Sequence, residues 1–207
     1  MELAAEPDGL RLTLPLPGGP ALLRLAPRRP WLDEVAARLD PGLGARVGYQ
    51  CCPRLEVSGP GGGAPVGGLA WMDRQWGAFE GWFVADTPAG RRPVGWDWAG
   101  LSFDDGTDLL AMRHRAPGAG PVGRGFAVLF GPDGTARLAQ GVGWRDLGHR
   151  TSPRAGIAWP VRRRLSVPGL GADLTVSALA EDQEIPVFGA PAIWEGAARA
   201  EGRIGGR

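Results

Sequence analysis

Two short stretches of the chain set a carboxylate among indoles: Trp71-Met72-Asp73-Arg74-Gln75-Trp76-Gly77 and Gly95-Trp96-Asp97-Trp98. Between them they hold four of the nine tryptophans. Indole brings a large apolar surface with an electron-rich face, and a carboxyl enclosed by such surface is pushed towards its protonated form. That combination can give a proton to an unsaturated hydrocarbon and stabilise the cation that results. Asp73 and Asp97 are the candidate acids, and Trp71, Trp76, Trp96 and Trp98 the candidate binding surface.

Other chemistries find little support. The 23 basic residues are all arginine, so Schiff-base catalysis on a lysine is excluded. Against 22 acidic residues they leave a net charge of +1, spread along the chain except at Arg162-Arg163-Arg164, so no nucleic-acid footprint is expected. That triplet reads as a surface cluster. His114 and His149 are the only histidines, and neither has a second ligand at metal spacing. Cys51 and Cys52 are adjacent, which suits neither a disulfide nor a zinc site, and read as packed, reduced thiols.

Local motifs read mostly as structure. Gly118-Ala119-Gly120-Pro121-Val122-Gly123 has the form of a dinucleotide loop, but Pro121 interrupts it and a strand follows, not a helix. Asp104, Asp105 and Asp108 lack the length and closing glutamate of a calcium loop and read as a hairpin turn. No Gly-x-Ser-x-Gly elbow is present. Asp182-Gln183-Glu184 reads as a polar loop or as a source of hydrogen bonds closing one barrel end.

The elements that must position these residues are short strands. Glycine and proline together number 55, which interrupts helices and favours many turns. Leu10, Leu12, Leu14 and Leu16 alternate with Arg11, Thr13 and Pro15, the period of a half-buried strand. One helix is expected over 31–39, where Trp31, Leu32, Val35, Ala36 and Leu39 recur after Pro30. Strands are expected around 23–25, 47–57, 66–72, 79–85, 94–103 and 108–115, and again around 124–130, 135–140, 157–167, 173–179 and 192–200. Asp104-Asp105-Gly106 and Pro132-Asp133-Gly134 supply hairpin turns. The pattern is an antiparallel all-β meander, with Thr87–Pro93 as the most linker-like segment. The start of the chain lacks the basic and apolar regions of a secretory signal, and no segment approaches the length of a membrane span, so a cytoplasmic, soluble protein is expected.

Read in order, Trp71–Gly77, Gly95–Trp98, Leu101-Ser102-Phe103-Asp104-Asp105-Gly106, Trp159-Pro160, Asp182-Gln183-Glu184 and Ile193-Trp194-Glu195-Gly196 resemble the ordered motifs of the carotenoid 1,2-hydratase (hydroxyneurosporene synthase) and AttH-like lipocalin family. The resemblance covers roughly residues 8 to 205. It implies a lipocalin-like antiparallel β-barrel over 93–207, preceded over 1–87 by the remainder of an N-terminal lipocalin-like β domain. The chain is expected to be a shortened member or the C-terminal portion of a longer one. A homodimer or a partner chain supplying the missing strands follows as an expectation.

The implied chemistry is addition of water to a terminal double bond of an acyclic carotenoid, without metal or organic cofactor. At positions where the resemblance implies a His and a Trp, and then a Tyr and an Asp, this chain carries Arg74 and Trp76, then Met112 and His114. Residues two apart on a strand share a face, so these two pairs are expected to line one cavity. Three readings stay open. The first is a hydratase using Asp73 or Asp97 as acid with His114 shuttling a proton. The second is a cyclase or isomerase of natural-product biosynthesis in which Arg74 polarises a carbonyl. The third is a carrier of a lipid or pigment. In each the ligand is a hydrophobic small molecule (polyene, carotenoid or lipid-like), through which the protein could associate with membranes.

Overall fold

The computed structural model describes residues 1–33, 47–77, 84–87, 90–93, 95–116, 120–187 and 190–205. Strand β1 (Glu2–Glu6), β2 (Gly9–Leu14), β3 (Ala21–Pro27), β4 (Val47–Gly61) and β5 (Ala64–Gly77) pair in sequence order as one antiparallel sheet, here sheet I. A small hairpin joins β6 (Val84–Thr87) to β7 (Gly90–Pro93). Sheet II holds β8 (Gly95–Ser102), β9 (Asp108–Ala116), β10 (Gly120–Phe130) and β11 (Ala136–Gln140), again in sequence order. Sheet III contains β12 (Gly143–Thr151), β13 (Ala158–Val167), β14 (Ala172–Ala178) and β17 (Ala198–Arg203), with a hairpin of β15 (Glu184–Val187) and β16 (Ala190–Trp194) inserted before its last strand. The fold is all-β and lipocalin-like, as the sequence led us to expect.

Sheet II lies at the centre because both of its faces are apolar. Leu109 to Met112 and Phe126 to Phe130 are unbroken apolar runs, the signature of strands buried on two sides, and all nine residues are buried. Even-numbered Leu110, Met112, Phe126, Val128 and Phe130 pack with Tyr49 and Cys51 of sheet I. Odd-numbered Leu101, Leu109, Ala111, Ala127 and Leu129 pack with Leu165, Val167, Leu170 and Leu174. A third cluster of Leu25, Cys52 and Leu55 lies on the other face of sheet I, away from sheet II. Cys51 and Cys52 are both free and buried, on opposite faces of β4.

The Asp-Gly turns are built alike. Gly106 and Gly134 both take a φ of 83°, open to glycine at no steric cost. The preceding Asp105 and Asp133 accept bonds from the backbone N–H and hydroxyl of Thr107 and Thr135. These two turns receive an arginine from the segment that follows β3. Arg29 donates to the carbonyls of Gly106 and Gly131, and its Nε lies 2.7 Å from Asp108 Oδ2. Arg54 reaches the same carboxylate at 2.9 and 3.1 Å and the carbonyls of Phe103 and Thr107 at 3.2 Å. Asp108 is fully buried and satisfied by two guanidinium groups, which is the condition for burying a charge.

Several expectations change. Within the segment expected to be a linker, Thr87 and Gly90–Pro93 belong to the paired strands β6 and β7, with Asp86 opposite Arg91. Of the expected helix over 31–39, residues 34–39 lie outside the described residues, and Leu32 bridges Cys51 in extended backbone. Most of the expected strand at 79–85 also lies outside them. β12 had no clear sequence signal, since its core-facing positions include Asp146 and its register shifts around Leu147. Among the described residues no helix is long and apolar enough to cross a membrane.

Removing one partner of a buried ion cluster leaves the other uncompensated. Asp108→Ala is expected to destabilise the fold by about 3–5 kcal/mol in urea unfolding. Replacing Asp108, Arg29 and Arg54 together by Leu and Met should cost less than that single change; an equal or greater loss would place the energy in the turn carbonyls and not in the ion cluster.

Candidate functional site

The facing surfaces of sheets I and II bring together residues from three strands. Tyr49 on β4, the chain's one tyrosine, is 1% exposed. Its hydroxyl donates to Asp73 Oδ1 on β5 at 2.5 Å and accepts the indole N–H of Trp98 on β8 at 3.2 Å. The indole N–H of Trp71 donates to the same Oδ1 at 2.9 Å. Both donors converge on one oxygen, and Oδ2 receives no hydrogen bond from the described residues. The carboxyl therefore has one oxygen held by donors and one left to carry a proton.

Around this carboxyl the rings pack edge to face. Trp71 meets Trp98 at 6.0 Å and Phe130 at 6.3 Å between centroids. Trp71 can lie this close because position 100 has no side chain: a Cβ there would stand 2.8 Å from the indole. Trp96 and Met112 line the same cluster, and His114 pairs with Trp96 across β8 and β9.

The electrostatics suit a proton donor. Burial of the Asp73 carboxyl raises its pKa; the bonds from Tyr49 and Trp71 oppose that rise, the charge of Glu195 adds to it, and the balance lies above the ordinary carboxylate value. Asp73 as a residue is exposed, while its carboxyl is held in this way. Burial, and then the neighbouring Asp73 charge, push the Tyr49 hydroxyl well above its usual range, so it stays a neutral donor. The Cys51 thiol is raised for the same reasons.

Asp97 has the opposite surroundings. It falls between Trp96 and Trp98 in sequence and so points to the other face of β8. There it meets Arg163 at 2.7 Å, Arg113 at 2.9 Å and Arg115 at 3.4 Å. Burial raises its pKa, but the hydrogen bond and charge of Arg163, with those of Arg115 and Arg113, outweigh it and hold the carboxyl below the ordinary value. It is an ion-pair anchor between sheets II and III, unsuited to donate a proton. Arg74 and Trp76 are likewise separated from the cluster. They share a face with Met72 and point away from sheet II, the guanidinium 5.4 Å from the centre of the Trp76 ring. Trp76 is half exposed and lies over Gly48, and Arg74 borders a separate cleft of about 630 Å3 with Trp31, Gln50 and Met72. The expected shared cavity of Arg74, Trp76, Met112 and His114 is therefore not formed.

Three of the remaining motifs meet at the β15–β16 hairpin. The Trp159 indole donates to Glu184 at 2.5 Å, and Arg154 binds Asp182 and Glu184 at 2.8 and 3.3 Å. The Gln183 side chain bonds the carbonyls of Ala180 and Ala197 and accepts the Ala197 N–H. Gly196 packs where any Cβ would collide with that amide. These residues place Glu195 near Asp73.

Comparison with known proteins agrees with this frame. The AttH-like family model matches residues 38–207. The chain belongs to the AttH-like family. Among solved structures it is similar to an AttH protein of Nitrosomonas europaea, 25% identical with a TM-score of 0.77, covering 96% of this chain and 62% of that one. It is also similar to kievitone hydratase of Nectria haematococca, 16% identical with a TM-score of 0.63, covering 95% of this chain and 61% of that one. The chain thus spans less than two thirds of either AttH-fold structure. No protein of curated function matches the sequence.

Two changes test the cluster. A carboxyl with a raised folded pKa binds its proton more tightly in the native state. Its favourable contribution is complete below the unfolded value and is lost as pH rises through the folded one. Asp73→Asn should therefore gain stability relative to the parent at pH 7 and show no such gain at about pH 3; a difference that does not change with pH counts against the assignment. Tyr49→Phe removes a donor to the carboxylate and an acceptor from Trp98. The Asp73 titration followed by carbon-13 NMR should move to higher pH, and stability should fall by about 1–3 kcal/mol.

Proposed function

We propose that this AttH-like protein catalyses hydratase-type chemistry, adding water to a carbon–carbon double bond of a hydrophobic polyene or isoprenoid, with Asp73 as the acid. The observation that carries the reading is the arrangement at Asp73: a carboxyl with a raised pKa, both donors on Oδ1, and indole rings alongside. The fold shared with a hydratase supports it. In this reading residues 1–87 and 93–207 are two lipocalin-like units, and the substrate sits where they meet.

The proton leaves Asp73 Oδ2 for one alkene carbon, and the other carbon becomes a tertiary cation. Trp71, Trp98 and Trp96 present π surface to that charge, worth roughly 2 kcal/mol per well-placed ring when water is excluded. Tyr49 and Trp71 stabilise the carboxylate as it forms, because their hydrogen bonds strengthen with its charge. Water then adds to the cation, and its surplus proton returns to Asp73. The net change is one water added, with the acid regenerated. Met112 contributes apolar surface, and in this reading His114, across from Trp96 on the neighbouring strand, orients the attacking water.

Incubation with lycopene or neurosporene in heavy water tests the reading. The expected product is heavier by one water and carries one deuterium on the newly protonated carbon. Asp73→Asn should lower turnover by about 10²–10⁴-fold. Asp97→Asn should weaken folding while leaving the turnover of the folded fraction near the parent's. Recovery of the polyenes unchanged in mass and isomer composition, or full turnover by Asp73→Asn, would overturn the proposal.

A further inference from the structure

Sheet III covers the core with one face and leaves the other outside, and that outer face is strongly basic. Its register sets three rows across four strands. The first is Gly143, Ser166, Asp173 and Arg203; the second Arg145, Arg164, Thr175 and Glu201; the third Gly148, Arg162, Ser177 and Arg199. The alternate residues Leu165, Val167 and Leu174 are buried, so the rows must face outward. Five arginines therefore stand on one surface against two carboxylates, and all five are exposed. Arg163, in the middle of the Arg162–Arg164 triplet, turns inward to Asp97 and leaves its neighbours outside.

Only one of the five has an ion-pair partner on the face: Arg164 with Asp173. Among the described residues Arg145, Arg162, Arg199 and Arg203 form no salt bridge, and Arg145 stands directly opposite Arg164. Like charges directly opposed on a sheet are unfavourable; Asp173, which also feels Arg203 and Arg145, offsets part of that repulsion and leaves the face with an excess of positive charge. The hydroxyls of Ser166, Thr175 and Ser177 lie between the guanidinium groups. Leu147, 39% exposed on β12, and Leu179, 63% exposed just past β14, flank the third row.

We propose that this outer face of sheet III docks on an anionic lipid bilayer. A flat array of guanidinium and hydroxyl groups matches a plane of phosphate headgroups, and the two exposed leucines at one end can enter the interface. Clusters of four or more basic residues suffice for such attraction. The face carries none of the residues of the Asp73 cluster, so docking and catalysis can fail separately.

The test is partition of the full chain onto vesicles of phosphatidylcholine alone, or mixed with phosphatidylglycerol, at low and high salt. Binding is expected only with phosphatidylglycerol and should weaken with salt. Each of Arg145→Gln, Arg162→Gln, Arg199→Gln and Arg203→Gln should reduce partition roughly fivefold. Arg137→Gln, on β11 in sheet II, should not change it. Equal binding to both vesicles, no effect of the four changes together in a variant with parental circular dichroism, or tighter binding to duplex DNA than to the anionic vesicles would each overturn the assignment. Loss of hydration without loss of partition would leave the docking face intact.

Discussion

The buried carboxylate of Asp108, held between Arg29 and Arg54, fixes how sheet I sits on sheet II. A charge at that depth cannot shift without losing partners, and its two arginines also bind four turn carbonyls. The two sheets are therefore clamped at the end where the Asp-Gly turns lie. Everything at the Asp73 cluster follows from that alignment, because Tyr49 and Trp71 come from sheet I and Trp98 from sheet II. Apolar contact alone would allow the sheets to slide, whereas directional bonds to a buried ion do not. A hydrogen-bond chain from Trp98 through Tyr49 to Asp73 needs that precision of placement, since the hydroxyl must reach two partners on different sheets.

Much of this was legible in the sequence. Short alternating strands, glycine-rich turns and the two Asp-Gly hairpins formed as expected, because those signals are local. Trp71 and Asp73 are two residues apart on one strand, and the indole and carboxyl do meet. The same rule argued against Asp97, which is one residue from each of its indoles and must face the other way. Composition had made the two motifs look equivalent. Strand parity separates them, and it also separates Asp73 from its immediate neighbour Arg74.

Tyr49 was the residue that sequence reading missed. It sits in a plain strand segment, and its partner Asp73 is 24 residues away. The one available signal was the Gly61-Gly62-Gly63 turn: counting outward along the hairpin brings Cys51 opposite Asp73 and Tyr49 opposite Gln75, provided one allows for the register shift between Cys52 and Leu55. That irregularity is not written in any local motif. Arg29, Arg54 and Asp108 were hidden for a related reason, since nothing near a buried arginine announces which distant carboxylate will meet it.

Asp73 and Asp97 differ above all in the charge of the groups that surround them. Asp97 is buried with three guanidinium groups, which hold its carboxyl below the ordinary value, and Asp108 is buried against two. Asp73 is the exception among these inward-facing carboxyls: its partners are neutral donors, and the charge of Glu195 acts to raise its pKa further. Neutral donors moderate the cost of ionisation without abolishing it, whereas an arginine would have removed the proton altogether. Arg74, one residue away, could have done that had it shared the face. Strand parity keeps the cation on the far side of the sheet, and an acid able to hold and release a proton is what remains.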